Sequence, residues 1–204
     1  MTALPELGRA AVVTIDMHRG HLDPAVATMP LPEVVAKRVV AAHGPLLRAA
    51  RERAVPVVHV VTSYRSVAEI ASNPWWAAVA GTDASRANVL NHQLPGSPGL
   101  ELMPEVYGSD DLVVTGKKRY DCFAATDLEH ALRSRGVDTL LLTGVNTNSC
   151  VLATAVAGNT RDFAVVVVED CVDTMDPALH DAALSVIRQA FGWVATAEEV
   201  VKAL

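Results

Sequence analysis

Short apolar runs, each about the length of one strand, alternate along this chain with longer stretches whose apolar residues recur at helical spacing. The first run is Ala10 to Asp16. A loop with Gly20, Pro24, Pro30 and Pro32 follows. A helix is then predicted from Glu33 to Arg53, with Val35, Val39, Ala42, Leu46 and Ala49 on one face. Pro56 stands at the start of a second strand, Val57 to Thr62, where a missing N–H is tolerated. The third strand is Leu112 to Thr115, and the helix after it runs from Ala125 to Arg135, closed by Gly136. A fourth strand, Thr139 to Thr143, leads into the helical pattern Val151-Leu152-Ala155-Val156. The fifth, Ala164 to Glu169, is almost all valine, as expected of a strand covered on both faces. A helix from Pro177 to Ala190, a short strand from Trp193 to Ala195 and a last helix to Leu204 complete the pattern.

This alternation predicts an α/β fold, a parallel sheet flanked by helices on both faces. A chain of 204 residues can bury one full core, and neither a linker nor an internal repeat divides it. The exception to the regular pattern is Ser63 to Asp111, which is long and rich in Pro, Gly and Asn. Such a stretch is either a lid-like binding insertion or a surface excursion with one short helix. Its adjacent Trp75 and Trp76 would either line a pocket or anchor a subunit interface.

Composition narrows the function. Lys and Arg number 17 against 23 Asp and Glu, a net charge of −6, and no basic stripe points to nucleic acid. No apolar run reaches membrane-span length, and no basic-then-apolar leader opens the chain. The three cysteines lie far apart and do not read as a disulfide framework, so a reduced, cytoplasmic setting is expected.

The candidate chemistry lies at strand ends. Asp16 closes the first run, Lys117 follows the third, and Cys150 follows the fourth at the start of a helical pattern. In a parallel sheet these ends meet along one crevice. A helix start, with its unpaired N–H groups, favours a thiolate. An acid, an amine and a thiol converging there make a nucleophilic site. Each alone has a plainer reading: a core cysteine, a capping aspartate, a surface lysine.

Three segments carry a resemblance. Ile15-Asp16-Met17, Val113 to Phe123 (Val-Val-Thr-Gly-Lys-Lys-Arg-Tyr-Asp-Cys-Phe) and Gly144 to Val151 (Gly-Val-Asn-Thr-Asn-Ser-Cys-Val) resemble, in order, the signature segments of the isochorismatase-like cysteine hydrolases. Gly96 to Leu102 resembles a further family segment. The resemblance implies a Rossmann-like, six-stranded parallel sheet and a catalytic triad of Asp16, Lys117 and Cys150. Lys117 takes the middle role over Lys118 because it lies six residues before Phe123, as in the family. The resemblance also implies a cis bond between Val145 and Asn146, and an oxyanion hole from the backbone N–H groups of Asn146 and Cys150. It implies no obligatory cofactor, and a homodimer or homotetramer. Cys122 and Cys171 lack the set and are expected to be packing residues.

His18, His21 and Asp23 are all metal-ligand types, but they lie in one loop with Arg19 among them, and no metal is expected there. Nicotinamidases of the family bind zinc through an Asp-x-His motif and a later His beyond the second strand, and that motif is missing from Val60 to Arg65. His59 lies within a strand and reads as a core histidine. His18, which replaces the family's common glutamine, and His21 are expected at the pocket mouth. Trp75, Trp76, Tyr120 and Phe123 are further candidate substrate contacts. The partner expected is a compact, partly apolar amide, carbamoyl compound or lactam. Members that cleave the vinyl ether of isochorismate lack the cysteine, so Cys150 implies C–N hydrolysis through a thioester. The rival readings are ether hydrolysis and a non-catalytic ligand-binding or redox-responsive protein.

Overall fold

The computed structural model describes residues 4–82 and 86–204. Six parallel strands form one sheet: β1 (Ala10–Ile15), β2 (Val57–Thr62), β3 (Leu112–Lys117), β4 (Thr139–Val145), β5 (Ala164–Asp173) and β6 (Trp193–Ala195). Their order across the sheet is β3-β2-β1-β4-β5-β6. The direction of winding therefore reverses between β1 and β4, which opens a crevice at their carboxyl ends.

Alternation along β1 divides the core in two. Ala11, Val13 and Ile15 pack with Leu128 and Leu132 of α5 (Leu128–Arg133), Ala155 of α6 (Leu152–Asn159), and Leu184 and Ile187 of α7 (Pro177–Ala190). Ala10 and Val12 face the other way. They join Val39, Leu46 and Leu47 of α2 (Glu33–Glu52) and Val200 of α8 (Ala197–Ala203). Burying each such valine or leucine is worth about 1.5–3 kcal/mol, so both faces of the sheet are strongly held. A four-residue helical turn, α1 (Arg19–Leu22), follows β1.

Two boundaries depart most from the sequence pattern. The helix expected from Ala125 begins only at Leu128, because Ala125 has a φ of 57° and cannot enter a right-handed helix. Strand β5 continues past Glu169 to Asp173, and its pairing with β4 shifts register between Leu142 and Gly144. The polar Glu169 and Asp170 end the apolar run but not the hydrogen-bonded ladder.

The segment 63–111 contains two short helices rather than one, α3 (Val67–Ala71) and α4 (Pro74–Val79), and two tight turns. Residues 83–85 of it lie outside the described residues. Asn73 caps α4 by accepting from Trp76 N at 3.1 Å, and Pro74 occupies the first turn. Tyr64, Ile70, Trp76 and Val89 form a third, small apolar cluster that seats this segment beside the crevice. No helix among the described residues is long and apolar enough to cross a membrane. Cys122, Cys150 and Cys171 are free thiols.

Candidate active site

At the crevice, the end of β4 leaves no room for a side chain against β1. A Cβ on Gly144 would stand 2.1 Å from the Ile15 carbonyl oxygen, and Gly144 has a φ of 102°, so only glycine fits. Asp16 follows β1 in a left-handed conformation, φ 52°, uncommon for a residue with a side chain. Two hydrogen bonds to β2 hold it in reach. Asp16 N donates to Val60 O at 2.9 Å, and Thr62 N donates to Asp16 Oδ1 at 2.8 Å.

Lys117, the last residue of β3, has a fully buried side chain. Its ammonium carries three hydrogens and meets three acceptors. These are Asp16 Oδ2 at 2.5 Å, Thr62 Oγ1 at 2.8 Å and Cys150 Sγ at 3.3 Å. Cys150 reaches this point through the Val145–Asn146 peptide, which is cis, and one π-helical turn, Thr147–Val151, that leads into α6. Wide turns of this kind concentrate at functional sites.

The charges are set by burial working against pairing. Burial alone would raise Asp16, but Lys117, helped by His18, holds its carboxyl well below the ordinary range. Burial likewise opposes the Lys117 cation, yet Asp16 and Cys150 keep its affinity for the proton above the usual value. For Cys150 the balance goes the other way. Burial raises the thiol above its ordinary value despite the neighbouring Lys117. Desolvation of the sulfur thus works against the thiolate that the helix start favours, and Lys117 works for it.

A family model of the isochorismatase domain matches residues 10–199. The chain belongs to the isochorismatase family. It is 31% identical over 196 residues to maleamate amidohydrolase of Pseudomonas putida, which covers 96% of this chain and 87% of that enzyme. Ureidoacrylate amidohydrolase of Methylobacterium radiotolerans is 45% identical over 83 residues, 40% of this chain and 32% of that enzyme. The crystal structure of a cysteine hydrolase from Pseudomonas syringae pv. phaseolicola superposes with a TM-score of 0.82 at 26% identity, over 100% of this chain and 95% of that one.

Around the triad, this isochorismatase-family chain places its other candidates unevenly. A cavity of about 20 Å³, lined by Asp16, Lys117, Cys150, Asn146, His21 and Trp76 among others, adjoins a groove of about 840 Å³. His21, Arg86, Tyr120 and Asn146 line both. Trp76 is buried and donates through Nε1 to Tyr120 Oη at 2.7 Å. Trp75 points away and is 66% exposed, because adjacent residues on a helix face different sides. Phe123 is also not a pocket residue; it stacks on Phe163 within the core, ring centroids 5.8 Å apart.

Lys118 pairs with Glu69 at 3.3 Å, outside the site. Cys122 and Cys171 are buried packing residues, as expected. His18 is not at the pocket mouth: it is fully buried, with Nε2 3.6 Å from Asp16 Oδ1. Leu102, in the segment Gly96 to Leu102, bridges to His18 in antiparallel fashion and holds it inward. Asp23 turns outward to Arg19 at 2.9 Å, away from the histidines.

Three residues of the site carried no sequence signal. Thr62 is a strand residue like its neighbours. Arg86 lies in an aperiodic stretch, and its guanidinium stands 4.8 Å from the centre of the Tyr120 ring. His92 lies in the same stretch and lines the inner cavity.

Proposed function

We propose that this protein is a cysteine-dependent amidohydrolase that cleaves a non-peptide C–N bond of a small amide, carbamoyl compound or lactam through a thioester. The observation that carries the reading is the Lys117 ammonium, which joins Asp16 Oδ2, Thr62 Oγ1 and Cys150 Sγ in one buried cluster. A binding protein has no need of a desolvated acid, amine and thiol in contact.

In the first half of the cycle, Sγ attacks the carbonyl carbon and its proton passes to Asp16. Attack makes the S–H strongly acidic as the C–S bond forms, so the low proton affinity of resting Asp16 is no obstacle to a concerted transfer. The negative charge that develops on oxygen is received by the backbone N–H groups of Asn146 and Cys150; one such donor is worth about 2.7–4 kcal/mol. Asp16 then gives the proton to the leaving nitrogen, the C–N bond breaks, and the amine departs. In the second half, water attacks the thioester while Asp16 takes its proton. The C–S bond breaks, the acid is released and the proton returns to Sγ. Lys117 stays charged throughout and holds Asp16 and Sγ in register.

The similar enzymes are named for maleamate and ureidoacrylate, small amides that carry a carboxylate. Arg86, lining both the groove and the inner cavity, is the group placed to pair such a carboxylate. The test is release of amine or ammonia from a panel of carboxylated and neutral amides by wild type and Cys150→Ala. Turnover by wild type alone is the expected result. Turnover that survives Cys150→Ala would remove the covalent reading and favour ether-type chemistry.

A further inference from the structure

The triad leaves three imidazoles beside it without a task. His18 and His21 come from the turn after β1, and His92 comes from the segment 63–111. All three are buried, at 0%, 6% and 4% exposure. Their rings pack in one cluster: the centroids of His18 and His21 are 4.8 Å apart, those of His18 and His92 5.6 Å, and those of His21 and His92 4.6 Å. One ring nitrogen of each lies within 4.8 Å of the other two.

The hydrogen bonds leave these rings ready to ligate. His21 Nδ1 lies 2.8 Å from the Met29 carbonyl oxygen, which can only accept. The ring proton therefore sits on Nδ1, and Nε2 keeps a free lone pair. His92 Nδ1 lies 2.8 Å from Thr28 Oγ1, a hydroxyl able to accept its ring proton and so leave Nε2 free. His18 has no hydrogen-bond partner on either ring nitrogen although it is fully buried. Buried polar atoms are nearly always partnered, and an exception asks for a cause.

We propose that His18, His21 and His92 form a site for one divalent transition-metal ion of the zinc class. Three imidazoles without a carboxylate suit zinc, cobalt or nickel and not magnesium or calcium. Ligating histidines commonly fix their second nitrogen on a carbonyl or hydroxyl, as His21 and His92 do here. A metal takes each imidazole in its neutral form. Bonds of about 2.0–2.1 Å would draw the three nitrogens closer by side-chain rotation. Two of the three donors come from the turn after β1, so the set differs from the nicotinamidase one, an Asp-x-His motif and a later His beyond the second strand, where only His92 of the three lies. His21 and His92 line the inner cavity, so the fourth position opens toward Cys150.

The test uses full-length Cys150→Ala, stripped with a chelator, so that the thiolate cannot serve as a ligand. Titration with Co²⁺, followed by its visible d–d absorption, should show uptake of one equivalent with the intensity of a four-coordinate site, displaced by Zn²⁺. His92→Asn and His21→Asn should abolish it. Thr28→Ala removes no ligand and should keep the stoichiometry while weakening affinity about 10–100-fold. Circular dichroism on each variant separates loss of the site from loss of the fold. If His92→Asn does not fold, Thr28→Ala decides. No Co²⁺ uptake by folded Cys150→Ala, or uptake indifferent to these substitutions, would overturn the proposal. Because the readout is uptake, either result leaves the amidohydrolase reading to its own test.

Discussion

His59 in β2 and His18 after β1 are both fully buried, yet the chain treats them differently. His59 is bonded through both nitrogens, Nδ1 to Thr14 Oγ1 at 2.6 Å and Nε2 to Asp111 Oδ2 at 2.9 Å. Asp111 in turn accepts from Arg51 Nη2 at 2.5 Å and Gly108 N at 2.8 Å. That network is closed and ties the segment before β3 to α2 and the sheet. His18 touches no hydrogen-bond partner, lies 3.6 Å from Asp16 Oδ1, and borders a triad whose Lys117 cation is itself fully buried. Satisfied buried polar groups brace a structure. Polar groups that the fold leaves open, next to a cavity, are where binding and chemistry are to be sought.

The largest effect expected is at Lys117. Lys117→Ala strands the buried Asp16 carboxylate, and we expect a loss of about 3–5 kcal/mol in denaturant unfolding together with loss of turnover. Lys118→Ala, which removes a partly exposed pair with Glu69 and a hydrogen bond to the Ser63 carbonyl oxygen, should cost no more than about 1.5 kcal/mol and keep activity. Equal damage from the two would erase the distinction between the clusters' roles.

Next is the closed network. Asp111→Asn should cost about 2–3 kcal/mol of stability and leave the chemistry unchanged in the remaining folded protein. Its pH signature follows from sign. Burial opposes ionisation of Asp111, but bonds from Arg51 and His59 win, and its carboxyl titrates below its ordinary value. A group depressed on folding contributes stability that is complete above its unfolded value, near pH 4, and lost as pH falls through the folded one. Burial also lowers His59, so wild type begins to lose stability below about pH 6.5. Unfolding curves across this range should be flatter below about pH 4 for Asp111→Asn than for wild type. A parallel loss in both would refute the role given to Asp111. The smallest effect is at Trp75, where Trp75→Ala should change both unfolding and turnover by no more than about 0.5 kcal/mol.

The fold was legible because its strands are nearly pure apolar runs. Val57–Thr62, Pro177–Ala190 and Trp193–Ala195 have the same limits in the pattern and in the structure. Asp16, Lys117 and Cys150 were legible because a charge or thiol at the end of such a run stands out. What was hidden needed tertiary contact. His92 sits in a stretch with no period, and nothing local tells that it meets His18 and His21. Tyr120 and Phe123 are equally aromatic and close in sequence, yet one lines the pocket and the other stacks on Phe163. The choice between Trp75 and Trp76 depended on where α4 begins, which Asn73 and Pro74 set. The depth at which the Cys150 sulfur is buried is likewise not revealed by a helix start.

The central claim is that Cys150 is the nucleophile of an amide-cleaving site. It is tested most directly by intact-mass spectrometry of wild type and Cys150→Ala, sampled within the first turnovers on small carboxylated amides while amine release is scored in parallel. An acyl adduct on wild type only is expected, with a fall in kcat on the order of 10⁴–10⁶-fold for the variant. Amine release at the wild-type rate from Cys150→Ala would contradict the claim.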